Sequence, residues 1–246
     1  MRRLLFLLVA VSAPALLAAQ GKFPPDSLVN TQVFPHATPV MQVMGTMRNF
    51  TGALGVRCQF CHVGEEGAPL DKFDFASDQK RTKLVARQMM LMVAEINRRL
   101  DSLPGRGTPG LQVTCTTCHR GTSRPVPLAT LITDAAVAAG SDSAVRAYRA
   151  LRERYYGKDA FDFSESTLNS AALRVGRANK FSDAFSLIKL NEEYFPTSAA
   201  AAVARGNIEL IRGDTTAAAA AFREAIRRDS SSAEPRNRLR DIGQKP

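Results

Sequence analysis

All four cysteines of the 246-residue chain, and two of its three histidines, fall in two copies of one five-residue pattern. The first copy contains Cys58, Cys61 and His62, and the second contains Cys115, Cys118 and His119. C-x-x-C-H is the pattern of c-type haem attachment. Two thiols three positions apart lie on one side of a helical turn and reach both vinyl groups of one porphyrin. The next histidine then faces the iron as proximal ligand, so the sequence predicts two covalent haem c groups.

Other roles for these cysteines explain the pattern less well. In an exported protein the C-x-x-C pairs could be disulfides or redox dithiols, but this leaves the histidine after each pair unexplained. Ribbon-type zinc pairs sit about 15–20 residues apart, whereas Cys61 and Cys115 are 54 positions apart. Because the chain has only four cysteines and three histidines, two matches to this pattern are improbable by chance.

Methionines upstream of each motif are the candidate sixth ligands. Met41, Met44 and Met47 precede the first motif at a spacing of three, the period of one helical face. Residues 80–100 are predicted to form a helix before the second motif, with an apolar stripe that we expect to face the core. That stripe consists of Val85, Met89, Met92, Ile96 and Leu100. A turn and a Gly/Pro loop at 105–110 then lead to the second motif.

Each motif therefore follows a methionine-bearing helix and a turn, so one supersecondary unit is used twice. A thioether sulfur is a soft iron ligand, and His/Met ligation raises the reduction potential relative to His/His ligation. Core filling is the competing role for any one of these methionines. His36 lies outside the motifs in a loop-like stretch, which indicates a surface histidine, although a neutral imidazole is a competent ligand.

The segment from Met47 to Pro127 resembles the cytochrome c subunit of bacterial photosynthetic reaction centres. The resemblance rests on MRNF at 47–50, LGVRCQFCH at 54–62, KLVARQMMLM at 83–92, IN at 96–97 and VTCTTCHRG at 113–121. It extends beyond the attachment pattern into the flanking helix and covers about a third of the chain. The subunit resembled carries four haems, so this chain corresponds to one half of it.

In that family the axial methionine of each haem lies on the upstream helix. The resemblance implies Met47 as the axial ligand of the first haem and Met89 as that of the second. Met44, one turn earlier, is the alternative first ligand. The resemblance also implies electron transfer and a place at a membrane complex, whereas a role in photosynthesis does not follow from half of the subunit.

The C-terminal part, residues 140–246, has the composition and period of a helical repeat domain. A self-comparison at a spacing of 34 residues pairs Ala172 with Gly206 and Ala184 with Ala218. That helix–turn–helix period is typical of tetratricopeptide repeats. The second repeat fits well over 199–232, while Asn191 stands in the first at a position that is usually small. A generic Ala-rich helical hairpin is the alternative, and stacked repeats would offer a groove to a protein partner.

The first 19 residues have the pattern of a secretory signal peptide. Arg2 and Arg3 precede an apolar run that ends in small residues, and its 16 residues from Leu4 to Ala19 fall short of the roughly 20 that span a bilayer. Cleavage is therefore favoured over an uncleaved anchor. The predicted organisation is a signal peptide (1–19), a dihaem cytochrome c domain (20–139) and a repeat domain (140–246), mainly α throughout. The expected location is the periplasm, either free or associated with the membrane.

The favoured function is an exported dihaem electron carrier. A peroxidase-like haem enzyme with one open iron and a repeat-based adaptor that docks a redox partner are the alternatives. No catalytic His, Arg and Glu set can be identified around either motif, which favours a carrier over an enzyme. The formal charge is +10, or +8 without Arg2 and Arg3, and it favours an acidic redox partner. Nucleic acid is not an expected partner, since no basic run is interleaved with aromatic residues.

Overall fold

The computed structural model describes residues 22–105 and 107–245. The helices are, in chain order, α1 (Val40–Leu54), α2 (Arg81–Asp101), α3 (Cys115–His119), α4 (Leu128–Tyr155), α5 (Glu165–Arg177), α6 (Phe181–Tyr194), α7 (Ala199–Arg212), α8 (Thr215–Arg228) and α9 (Glu234–Asp241). Within the described residues the extended structure is one isolated bridge between Val63 and Asp74. The mainly α class predicted from the sequence is confirmed.

None of the helices between residues 22 and 245 is long and apolar enough to cross a bilayer. The signal peptide predicted for residues 1–19 lies outside the described residues, and it stays a prediction.

The described chain forms two compact units. The first contains residues 22–52 and 56–114, apart from residue 106, and the second contains residues 53–55 and 115–245. α1, expected from the methionine spacing, and α2, expected from its apolar stripe, are the long helices of the first unit. The predicted domain boundary at residue 139 falls inside α4. That residues 20–139 form a domain of their own stays a prediction.

The end of α1 is set by a glycine. Gly55 has a φ of +64°, a left-handed conformation that costs a glycine little. The amide of Val56 then donates to the carbonyl of Thr51 at 3.2 Å, which satisfies one of the last helical carbonyls. This tight end leads from α1 into the first cysteine motif within four residues.

The core of the second unit is formed by side chains of α4, α5, α6 and α7. Its large fully buried side chains include Ile132, Tyr148, Leu168, Leu187, Ile188 and Ile208. α4 is broken at Ala139 and Gly140, where the backbone leaves helical geometry. Asp183 Oδ1 accepts a hydrogen bond from the Ser141 amide at 2.7 Å, so a side chain of α6 caps the second half of α4.

The C-terminal helices form consecutive antiparallel pairs with a constant repeat length. α5 and α7 begin 34 positions apart, as do α6 and α8. Gly206 permits the close approach of α7 and α8, because a Cβ there would lie 2.4 Å from the Phe222 ring. Phe222 thus packs against Gly206, while the assignment to tetratricopeptide repeats stays a prediction.

Asn191 is accommodated by polar partners inside the first helix pair. It is fully buried, and its Nδ2 donates to the Glu165 carbonyl at 2.9 Å and to Asn169 Oδ1 at 2.8 Å. A buried amide with such partners is tolerated where a small residue would otherwise stand. This explains why the first repeat departs from the small-residue pattern and still packs.

Candidate functional site

The first cysteine motif forms a single tight turn. Residues Cys58–Phe60 are a 3₁₀ helix, and the Cys58 carbonyl accepts from the amides of Cys61 and His62 at 3.2 and 2.9 Å. The Thr82 hydroxyl at the start of α2 donates to the Phe60 carbonyl. The turn thus holds both thiols and the histidine on one short loop that is tied to α2.

The imidazole of His62 is partly buried against Phe75. The two rings meet edge to face with centroids 5.0 Å apart. Nδ1 of His62 is buried without a hydrogen bond of good geometry, and the backbone of Phe75 is the polar group beside it. Burial lowers the pKa of His62, and the positive charge of Lys83 lowers it further. A neutral imidazole, the form that ligates iron, is therefore favoured.

Lys83 of α2 fixes the turn that carries Phe75. This lysine is 9% exposed, and its Nζ donates to the carbonyls of Phe75, Ala76 and Ser77 at 2.9, 2.9 and 2.8 Å. The ammonium also lies 3.0 Å from a carboxylate oxygen of Asp78. The turn after the first motif is therefore bound to α2 by one side chain.

Asp78 forms ion pairs with two cations, Lys83 and Arg87. Arg87 Nη1 donates to its Oδ2 at 3.0 Å, and Arg87 Nη2 donates to the Asn30 carbonyl at 3.0 Å. The hydrogen bonds from Arg87, then from Asn30 and Lys83, hold the pKa of Asp78 far below its ordinary value. The carboxylate is thus kept in its ionised form near neutral pH and balances the charge of one of the two cations.

The second motif is the short helix α3. After His119 the chain turns through Arg120 and Gly121, both with positive φ. His119 Nδ1 donates to the Thr122 carbonyl at 2.9 Å, which leaves Nε2 with the lone pair for a metal. The buried Thr122 hydroxyl donates to the carbonyls of His119 and Arg124. A proximal ligand needs this kind of orienting partner.

Gly121 also joins the second motif to the last turn of α1. Its amide donates to the Ala53 carbonyl at 2.8 Å. The backbones approach so closely that a Cβ on Gly55 would lie 2.1 Å from the Gly121 carbonyl oxygen. The end of α1 and the turn after His119 are therefore one packed feature of the second unit.

The segment that leads into the second motif is bound to α2 by Asn97. Its Nδ2 donates to the Val113 carbonyl at 2.9 Å, and its Oδ1 accepts from the Val113 amide at 2.7 Å. One side chain thus satisfies both backbone groups of a residue two positions before Cys115. The register between α2 and the approach to the second motif follows from this pair of bonds.

The candidate axial methionines differ in exposure. On α1, Met41 is 60% exposed, whereas Met44 and Met47 are partly buried. Met47 shares its helical face with the buried Val43, four positions earlier. Met44 and Met47 both remain predicted alternatives for the first axial ligand.

The predicted apolar stripe of α2 is present but does not face the protein core. Val85, Met89 and Met92 are 45, 40 and 47% exposed. The expectation of a core-facing stripe was therefore wrong for this part of α2. Large apolar side chains in a row at the surface mark a surface to be covered by an apolar ligand or partner, and a porphyrin face is such a ligand.

The cysteines of the two motifs are not joined by disulfides. All four are free thiols. Burial raises the pKa of Cys61 and of Cys115, whereas thiols of reactive C-x-x-C motifs have lowered pKa values. Among the described residues, no group of three or more His, Cys, Asp or Glu side chains is arranged to hold a bare metal ion.

These residues fit haem c. Each motif offers two free thiols and an imidazole with a free ring nitrogen, and α2 offers an exposed apolar stripe that contains Met89. His36, in contrast, is exposed and contacts the Thr31 hydroxyl at 3.3 Å. The structure thus brings nothing to His36 that would make it part of either site.

Comparison with known proteins identifies the cysteine-bearing segment. Residues 37–153 match the family described as photosynthetic reaction centre cytochrome C subunit. This segment, just under half of the chain, resembles the reaction-centre cytochrome c family. The family implies covalently bound haem c and electron transport, and it favours an electron carrier over an enzyme. The resemblance predicted from the sequence is confirmed.

One curated relative is similar over a stretch of 93 residues. Cytochrome c-554 of Chloroflexus aurantiacus is 36% identical over 93 residues, which is 37% of this chain and 20% of that protein. The chain therefore spans about a fifth of the length of that relative. No solved structure matches the chain significantly.

Four residues of the site are not marked by any spacing or motif of their own. Phe75, Lys83, Asn97 and Thr122 orient the motifs through ring contacts and backbone hydrogen bonds. Lys83 and Asn97 lie inside the stretch that resembles the family, but a polar residue on an amphipathic helix is usually solvated. Only the turn-forming Arg120 and Gly121 after His119 point to a local constraint.

Proposed function

We propose that this protein is an exported dihaem c-type cytochrome that carries electrons. The observation that supports the proposal most strongly is the repeated arrangement of a methionine-bearing helix followed by a C-x-x-C-H turn. Cys58 and Cys61 would hold the first haem and Cys115 and Cys118 the second. Each haem, when attached, supplies an iron that takes up and gives back a single electron.

The protein groups around each iron are those of a carrier. His62 and His119 would be the proximal ligands, with Met47 (or Met44) and Met89 as the distal ones. A second protein ligand keeps the coordination number unchanged on electron transfer and leaves no open position for peroxide. The His119–Thr122 hydrogen bond fixes the tautomer of the second imidazole.

Axial substitutions test this ligation. In the oxidised protein, Met47→Ala and Met89→Ala should each remove about half of the far-red sulfur-to-iron absorption, lower one reduction potential and open one iron to carbon monoxide. Met41→Ala, on the same helix as Met47 but 60% exposed, is the matched control and should change none of these properties. Loss of the band in Met44→Ala instead would move the first ligand by one turn.

The haem-enzyme alternative gives a different result in the same measurements. A wild-type protein with one high-spin haem that reacts rapidly with peroxide would contradict the carrier proposal. Intact mass provides the haem count independently. Two attached haems support the proposal, and one or none contradicts it.

The location and the partner are part of the proposal. A chain expressed without residues 1–19 should remain in the cytoplasm without haem, and two covalent haems on it would contradict export. An acidic redox protein is the expected partner, and the C-terminal helix pairs are a candidate docking surface for it. Two haems add about four negative propionate charges, which offset part of the positive charge of the chain. The attraction to an acidic partner is therefore moderate, and electron transfer should slow as ionic strength rises.

A further inference from the structure

The buried lysine on α2 is placed to act on the first haem site. Lys83 donates to three successive carbonyls between Phe75 and Ser77 and lies 3.0 Å from Asp78. Burying an ammonium is expensive unless its donors are satisfied and its charge is balanced. Both conditions are met here, so the lysine is a structural component of this turn rather than a solvated side chain.

The turn that Lys83 holds carries the ring that contacts His62. Phe75 meets the imidazole edge to face at 5.0 Å between centroids and stacks with Phe73 at 5.6 Å. Asp74 Oδ1 accepts from the amides of Ala76 and Ser77 at 3.0 and 2.9 Å, which tightens the same turn. A displacement of this turn would therefore displace the wall against which His62 rests.

We propose that Lys83 is a positioning residue for the first haem, which holds Phe75 against His62 and whose buried positive charge raises the reduction potential of that haem. This inference rests on the proposed function. It concerns the first haem, because Lys83 donates to the turn that follows the first motif.

The sign of the electrostatic effect follows from the charge balance. Uptake of an electron lowers the charge of the iron by one unit, so a nearby buried cation stabilises the reduced form. Lys83 and Arg87 contribute two positive charges and Asp78 one negative charge, so the cluster is positive. Asp74 acts on His62 in the opposite direction, and Arg87 in the same direction as Lys83.

Two substitutions of opposite expected sign test the proposal in the full-length, haem-loaded chain. Lys83→Met removes the charge and the three donors, and it should lower the reduction potential of the first haem. Asp78→Asn removes the opposing charge while the lysine keeps its three carbonyl partners, and it should raise the same potential. A spectroelectrochemical titration measures both haems, and the first is identified by its loss in a Cys58→Ser, Cys61→Ser chain.

The matched control is Lys80→Met. Lys80 is exposed and stands just before α2, so the substitution Lys80→Met removes the same charge without disturbing the turn. The inference predicts a smaller shift for Lys80→Met than for Lys83→Met, and no shift of the second haem in any variant. Potentials that move in the same direction in Lys83→Met and Asp78→Asn, or a Lys83→Met effect no larger than the control, would overturn it.

Failure of this inference can be separated from failure of the proposed function. If the intact mass shows no haem at the first motif of the wild-type chain, the electron-carrier proposal fails. If the haem is attached and its potential does not respond as described, only the role of Lys83 fails. Should Lys83→Met not fold, the rise expected in Asp78→Asn still decides the question.

Discussion

Single polar side chains position both cysteine motifs. Lys83 binds three carbonyls after the first motif, and Asn97 binds both backbone groups of Val113 before the second. Thr122 links the turn after His119 to that imidazole. Backbone hydrogen bonds of this kind fix a loop in one conformation without a large core around it.

Removal of the Asn97 amide should loosen the approach to the second motif. Asn97→Ala leaves the amide and the carbonyl of Val113 without their partner, and we expect the free energy of unfolding to fall by about 2 kcal/mol. The absorption of the second haem should broaden while that of the first stays unchanged. Denaturant unfolding, followed at both haem bands, measures the two effects.

The neighbouring Gln112 supplies the control for this experiment. Its amide is exposed and bonds to Asp101 at the surface, so Gln112→Ala should change stability by less than about 0.5 kcal/mol. Equal effects of the two substitutions would show that the Asn97 bonds do not hold the segment.

A buried carboxyl group on α7 should make stability depend on pH. Glu209 is 8% exposed, and burial raises its pKa, against the opposing charge of Arg212. The folded protein therefore binds this proton more tightly than the unfolded chain, so its contribution to stability falls as pH rises through the folded pKa. Glu209→Gln should raise the melting temperature at neutral pH.

The comparison with the wild type isolates this group. The gain from Glu209→Gln should shrink as pH is lowered toward the unfolded pKa of a glutamate. Glu153→Gln, at an exposed position of α4, removes the same charge and should give no pH-dependent gain. A gain that is constant with pH, or equal in the two variants, would contradict the assignment.

The cysteines and histidines could be proposed as haem-binding residues from the sequence, because a porphyrin dictates the spacing of such residues. The cysteines and histidines need only local sequence to be recognised, whereas Lys83 and Asn97 act on backbone 6 to 16 positions away. On an amphipathic helix such residues look like solvated ones, since no periodicity marks a hydrogen bond to a distant carbonyl. The choice between Met44 and Met47 depends on a side-chain direction that spacing does not specify.

At the scale of elements, periodicity predicted the helices well. The helix expected over 80–100 is α2 at Arg81–Asp101. The outward exposure of the α2 stripe was missed, because periodicity shows that one face is apolar but not what covers it. The contact between α4 and Asp183 was also missed, because it joins residues 42 positions apart.

The junction between α1 and the turn after His119 should be intolerant of a side chain. Gly55→Ala would combine a positive φ with a Cβ 2.1 Å from the Gly121 carbonyl oxygen. We expect a loss of at least about 2 kcal/mol in unfolding free energy. Thermal unfolding measures it, and the second haem should be perturbed because Gly121 follows its histidine.

Gly67 offers a matched control. It also has a positive φ, of +80°, but a Cβ there would meet no atom within 4 Å. Gly67→Ala should therefore cost only the backbone strain, about 1 kcal/mol. If Gly55→Ala were no worse than Gly67→Ala, the close contact with Gly121 would not exist in solution.

At the scale of the whole molecule, α4 is shared by the segment that matches the cytochrome family and by the core of the C-terminal helices. The family match runs through residue 153, while the buried side chains of α4 pack with the C-terminal helices. Leu128 and Ile132, before the break, are 3 and 0% exposed. The first half of α4 therefore depends on residues that the predicted cytochrome domain, 20–139, does not contain.

A chain that ends at residue 139 should keep its haems but lose solubility. Both motifs and the candidate methionines precede residue 139, so haem content by mass should equal that of the full chain. Exposure of Leu128 and Ile132 should promote self-association, visible by size-exclusion chromatography, because each buried side chain contributes about 1.5–3 kcal/mol.

Polar substitution tests the cause of the association. The same truncated chain with Leu128→Gln and Ile132→Gln should return to a monomer. Loss of haem from the truncated chain would instead show that the C-terminal helices are needed for haem binding.

The two hydrogen bonds between Asn97 and Val113 close a chain segment that contains the last turn of α2 and the loop over residues 102–112. Lengthening a closed flexible loop is inexpensive, at roughly 0.6 kcal/mol for each doubling of its length. The path that leads into Cys115 is held by the clamp rather than by the number of residues between α2 and the motif. Insertions and deletions within this loop should therefore be tolerated, and the distance in sequence from Met89 to Cys115 is free to drift among relatives while the entry to the second site stays in register.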